Sequence, residues 1–212
     1  PRTAKRLHWD VIPKMVDEYH QSLRAYPAQD EDQRLQNAVW HIHGGAPPAS
    51  DMVVPFAMLL NLASVSGAED RAVLWRYLRR YAPGTAPDTH PGLDAAAGHA
   101  VRYFQRHVKP TRAWRLPTEK ERAAIEDLAA RLKGHEGSHD PEELQAIVYA
   151  VGREHGFDPL RDWFRALYEV LLGASEGPRF GGFVALYGVE ETLALIDRAL
   201  AGGLAGTPTE AA

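Results

Sequence analysis

From Val11 to Leu200 the apolar residues return at helical spacing, and no stretch alternates with a period of two for long enough to make a strand. A chain patterned this way has to bury helix against helix. Val11, Ile12, Met15, Val16, Tyr19 and Leu23 form one stripe over residues 11–26, with Asp10 placed to cap it. Leu35, Val39 and Ile42 predict a helix over 33–43, which the GGAPP stretch at 44–48 ends. Residues 53–65 are apolar almost all round and predict a helix buried on most sides. Over 70–81, Leu74, Tyr77 and Leu78 face inward while Arg71, Arg76, Arg79 and Arg80 face mostly outward. A Pro/Gly loop at 83–91 leads to a helix over 92–108. Thr118 and Glu121 make a capping box for a helix that runs to Lys133. Asp140-Pro141 and Asp158-Pro159 repeat one start signal, an N-cap followed by Pro at the first helical position, for helices ending near His155 and at Gly173. Residues 183–187 and 189–200 complete an irregular all-α array of roughly ten helices with no repeat period, so not a solenoid. The stretch 202–212 reads as a frayed tail.

Composition narrows the class. The chain has 212 residues, 45% hydrophobic and 25% charged, ordinary for a protein that buries a core. It has no cysteine, so no disulfide framework and no thiolate metal site, which suits a reducing cytoplasm. The longest apolar run, 52–65, is broken by Pro55 and Asn61, so no membrane span is expected. PRTAKRLHWD lacks the apolar core of a signal peptide. It opens mid-phrase without Met, and the chain is expected to be a portion of a longer protein. A net charge of −4 leaves nucleic-acid binding to local patches.

No catalytic set emerges. His41-Ile42-His43-Gly44 resembles the HIGH box of class I aminoacyl-tRNA synthetases, but it ends a helix and no nucleotide-binding sheet supports it. The ten histidines show no third ligand at a sensible spacing, so no metal is expected. Glu119, Glu121, Glu142 and Glu143 sit in helix first turns, where the macrodipole accounts for them. No nucleophile, base and orienting group come together.

Two features point to binding instead. Between Asp94 and Glu119 no acidic residue occurs, yet Arg102, Arg106, Lys109, Arg112 and Arg115 do, with Tyr103, Phe104 and Trp114 interleaved. Arg102 and Arg106 share a helix face, and such a stripe suits a polyanion with stackable bases, or simply a solvated helix face. The second feature is a corner, LRDWFRALYEVLLGASEGPRFGGFVALYG, in which Gly173, Gly177, Pro178, Gly181 and Gly182 cluster between two helices. Few side chains obstruct its backbone. Arg179 contributes a permanent cation, with Tyr168 and Phe180 nearby for stacking.

The phrases PRTAKRLHWDVIPKMVDEY, HPGLDAAAGHAVRYF, QAIVYAVGREHGFDPLRDWF and LYEVLLGASEGPRFGGFVALYG together resemble the C-terminal part of class I lysyl-tRNA synthetases over nearly the whole chain. The resemblance implies an all-helical anticodon-binding helix cage over 49–204, the end of a stem-contact region over 1–48, and a flexible tail at 205–212. It implies an upstream catalytic domain using ATP, the tRNA(Lys) anticodon stem-loop as partner, and no cofactor in this portion. Tyr168, Gly173, Gly177, Pro178, Arg179 and Phe180 would match the positions at which related glutamyl enzymes meet anticodon bases. Arg179 departs from some of those sequences. A glutamyl-type synthetase portion and a helical protein-interaction module are the alternatives.

Overall fold

The computed structural model describes residues 8–135 and 138–205. All regular structure among them is helical. Eleven α-helices follow in order: α1 Ile12–Ala25, α2 Glu31–Gln36, α3 Ala38–Ile42, α4 Phe56–Ser66, α5 Arg71–Tyr81, α6 Pro91–Tyr103, α7 Glu119–Lys133, α8 Pro141–Glu154, α9 Arg161–Leu167, α10 Phe180–Tyr187 and α11 Val189–Leu200. Two of the four expected start signals act as the sequence predicts. Thr118 and Glu121 close a reciprocal capping box, and Asp140 caps α8 through its side chain; Asp70, not expected as a cap, does the same for α5.

Three local readings differ. Asp10 does not cap α1; it lies inside a short 3-10 turn, Trp9–Val11, that precedes the helix. The single helix expected over 33–43 is two, because Asn37 adopts an extended backbone and caps α3 by accepting the Val39 N–H. A capping box between Asp30 and Gln33 starts the first of them. Asp158 does not cap α9, which begins at Arg161 after Leu160. Of the expected tail, residues 206–212 lie outside the described residues.

α4 is the hub of one half. Its Leu59, Leu60, Leu62 and Ala63 are buried, and it packs against α1, α5, α6 and α10. α7, α8, α9 and α11 form the other half, and α10 joins the two. α8 and α10 share the most extensive helix contact, where Gly181 meets Gln145 and its N–H donates to Gln145 Oε1 at 2.7 Å in a buried bond. Trp163 and Phe183 fill the interior between helices, the Trp163 indole N–H donating to the Val148 carbonyl at 2.9 Å. α1 is docked on the hub by Asp17, whose carboxylate accepts the free N–H groups of Phe56 and Ala57 at the start of α4.

Candidate nucleic-acid interface

The corner is built on a π turn. α9 loosens into a π turn over Tyr168–Leu172, and Gly173 ends it in the left-handed region at φ 62°. The Tyr168 carbonyl receives both the Gly173 and the Ala174 N–H groups. Glycine is required at 173 twice over: for its φ, and because a Cβ there would stand 2.8 Å from the Trp114 ring. The Tyr168 hydroxyl donates to the Pro178 carbonyl at 2.5 Å and ties the turn back onto the helix. Burial pushes that phenol up to about 12, so it remains a donor. A Cβ at Gly177 would stand 2.9 Å from the Tyr168 ring and 3.4 Å from Asn61 Nδ2, so bare backbone alone fits over this floor.

The expected site residues separate into distinct environments. Gly173, Gly177 and Pro178 form the turn. Arg179 stands at its end, engaged by Glu142 of α8 in a two-pronged ion pair at 2.7 and 3.0 Å. Both side chains are more than half exposed, 61% and 71%, so the pair is weak and a stronger anion can displace it. Phe180 is fully buried, with its ring against Phe183 and Tyr168 at centroid separations of 5.7 and 6.3 Å. It presents no open face, and Tyr168 is nearly as enclosed. Neither ring offers a base a surface in this conformation.

The corner opens onto a cavity of about 990 Å³ whose opposite wall is α1, with Trp9, Asn61, Arg112, Gly177 and Arg179 among its lining. Arg102 and Arg106 are exposed but belong to an adjoining cavity of about 500 Å³, between α1 and α6. Tyr103 and His107 line both. Between the cavities, Trp9 stacks on His107 at 4.7 Å with 16° between planes, and its carbonyl accepts the Tyr103 hydroxyl. Trp9 is 62% exposed, so its indole is the open aromatic face that the corner itself lacks. His20, in the smaller cavity, is pushed down in pKa by burial and by Arg24.

The acid-free stretch also divides. A second π turn, Phe104–Val108, continues α6. Arg102 before it, Arg106 within it and Lys109 after it reach solvent, whereas Arg115 is held by Glu121 at 2.7 Å and Glu169 at 2.6 Å. Those carboxylates raise the Arg115 guanidinium well above its ordinary value. Arg112 turns inward, and burial pushes it down to about 10. The histidines of the HIGH-like string are occupied locally: His41 by the Leu35 carbonyl at 2.7 Å, His43 by the Tyr19 hydroxyl at 2.8 Å. Among the described residues no three His, Asp or Glu side chains gather as a metal site. No helix there is long and apolar enough to cross a membrane.

Sequence reading did not single out Trp9 or Asn61 as lining the cleft, and it placed Arg112 only within the basic stretch. A signal existed for Asn61, the one amide in a largely apolar helix, and it lies buried against the cavity. None existed for Trp9, whose place depends on how α1 docks.

Fold and site together define an all-helical protein with a cleft in which bare backbone, exposed cations and one open aromatic face converge. No protein-family model matches the chain. Lysine–tRNA ligase of Roseobacter denitrificans is 65% identical over 204 residues, which is 96% of this chain and 38% of that protein. The same-named protein of Rickettsia bellii is 41% identical over 94% of the chain and 39% of its own length, and that of Rickettsia felis 40% over 93% and 38%. Nearly the whole chain is therefore similar to a portion of lysine–tRNA ligases, and it spans about two fifths of the length of these relatives.

Proposed function

We propose that this chain is the anticodon-binding, C-terminal portion of a class I lysyl-tRNA synthetase, with residues 49–204 as the helix cage and 1–48 as the end of the stem-contact region. The full-length protein attaches lysine to tRNA(Lys) in the cytoplasm using ATP, which an upstream catalytic domain holds, and this portion contributes tRNA recognition. The observation that carries the reading is 65% identity to a lysine–tRNA ligase across 96% of the chain. The cleft supports it. Single-stranded loop bases splay out, stack on aromatic or guanidinium planes, and are read at their edges. Lysine anticodons are rich in uridine, whose edge offers one N–H and two carbonyls. The Gly177-Pro178 backbone and Arg179 present complementary groups, and the Trp9 indole offers a stacking face for about 1–3 kcal/mol per base. Arg102, Arg106 and Lys109 give backbone phosphates an exposed cationic path beside it. The matched relatives named above are all lysine–tRNA ligases, which favours the lysyl over the glutamyl reading.

Fluorescence titration of the chain with a lysine anticodon stem-loop, beside a stem-loop altered at the second anticodon letter, tests the proposal. The lysine stem-loop is expected to bind tighter by about 1–3 kcal/mol, the scale of one well-read base. Equal affinity contradicts anticodon reading, and salt-independent weak binding favours a protein-interaction module.

A further inference from the structure

Arg112 is the most unusual cation in the molecule. It follows the Phe104–Val108 π turn and a short 3-10 turn, Lys109–Thr111, in extended conformation. Its side chain lies between two cavities, the large one beside Asn61 and a smaller one of about 600 Å³ beside Trp114 and Gly173. Nη2 donates a long bond of 3.4 Å to Asn61 Oδ1. Nε and Nη1 are shielded from solvent and have no acceptor among the described residues. The carboxylates of the same cavity do not supply one. Asp17 is engaged by the start of α4 and Glu18 by Lys14, and among the described residues neither Asp10 nor Glu176 pairs with Arg112. The contrast with Arg115, three residues on and held by two carboxylates, is sharp.

A buried guanidinium with two idle donors destabilises the fold that holds it. An apolar side chain of the same length would fit there at lower cost. Asn61 is buried in the largely apolar α4, and its amide oxygen accepts from this guanidinium. The turn over residues 174–178 lies outside every helix and passes close above Asn61 at Gly177. We propose that Arg112, positioned by Asn61, is the receptor for one acceptor oxygen of a loop nucleotide, either a phosphodiester oxygen or a base carbonyl, that enters when this turn gives way. The inference rests on the RNA-binding reading above. It adds the residue that does the deep reading and assigns Arg179, with its exposed partner, to the rim.

Two variants test it by anisotropy titration with the lysine anticodon stem-loop and by thermal unfolding, both on the 212-residue chain. Arg112→Met removes the donors and keeps an apolar stem. Affinity is expected to fall at least tenfold while the unfolding midpoint holds or rises, the signature of a cation kept for binding. Asn61→Asp gives the guanidinium an internal carboxylate, so the midpoint is expected to rise and affinity again to fall, which decides the matter should Arg112→Met fail to fold. Stem-loops with single methylphosphonate linkages or single abasic positions then identify the oxygen: the modification that weakens wild type but not Arg112→Met removes it. A lowered midpoint with unchanged affinity makes Arg112 structural and overturns the proposal, as does every modification weakening both proteins equally. Wild-type chain that binds no stem-loop overturns the RNA reading itself, a result distinct from unchanged binding in the variants.

Discussion

Gly181 and Gln145 meet backbone to backbone: a Cβ on Gly181 would lie 2.6 Å from Gln145 Cα, and no flexible side chain is there to yield. Gly181→Ala is therefore expected to destabilise the protein by about 1–3 kcal/mol, despite the better helix propensity of alanine, as chemical denaturation would read. An unchanged midpoint would mean that α8 and α10 can separate at little cost. The neighbouring residues show what a sequence can and cannot reveal at this scale. Gly173, Gly177 and Pro178 announce a bare turn by their identity, and they form one. Phe180 and Arg112 are each one residue in a run, and only packing decides which way they face. Phe180 begins a helix whose every residue is buried, so its ring goes inward. Arg112 follows the π turn that holds Arg106 and a further 3-10 turn, and it lies under the corner while Arg102 and Arg106 line the other cavity.

Among elements, α7 shows a cap that also fastens a loop. Glu121 completes the capping box with Thr118 and grips Arg115, which also holds Glu169 of the π turn at the corner. The Arg115 contact holds the Glu121 carboxyl below its ordinary value of 4.5, with the Thr118 backbone N–H adding to the effect. A carboxylate with a depressed folded-state pKa gives stability that is fully present above the unfolded value and is lost as pH falls through the folded one. Glu121→Gln keeps the capping geometry and removes the charge. The variant is expected to be less stable than wild type at neutral pH, and the gap between their urea midpoints to close as pH falls below the carboxylate range. A gap that persists in acid would show that the charge is not the source. The cap itself was legible, since Thr and Glu three apart before an apolar run specify it. The Arg115 clamp was not, because it joins positions more than fifty residues apart.

For the molecule as a whole, helical periodicity and punctuation specify the fold class, and the helices form where they are expected apart from the break at Asn37 and the shifted starts of α4, α9 and α10. The cleft was less legible, because its two walls come from opposite ends of the described chain: Trp9 and α1 on one side, residues 173–179 on the other. No local pattern encodes that meeting. It is set by Asp17 capping α4 across forty residues and by Tyr103 holding the Trp9 carbonyl. On the proposed function, an anticodon loop lies in this cleft. Photocrosslinking from 4-thiouridine placed at each anticodon position of a lysine stem-loop, with the attached peptides mapped by mass spectrometry, tests it most directly. Crosslinks are expected at Trp9, at residues 108–112 and in the turn at 174–179. Crosslinks confined to the outer faces of α7 and α11, with none in the cleft, would contradict the account.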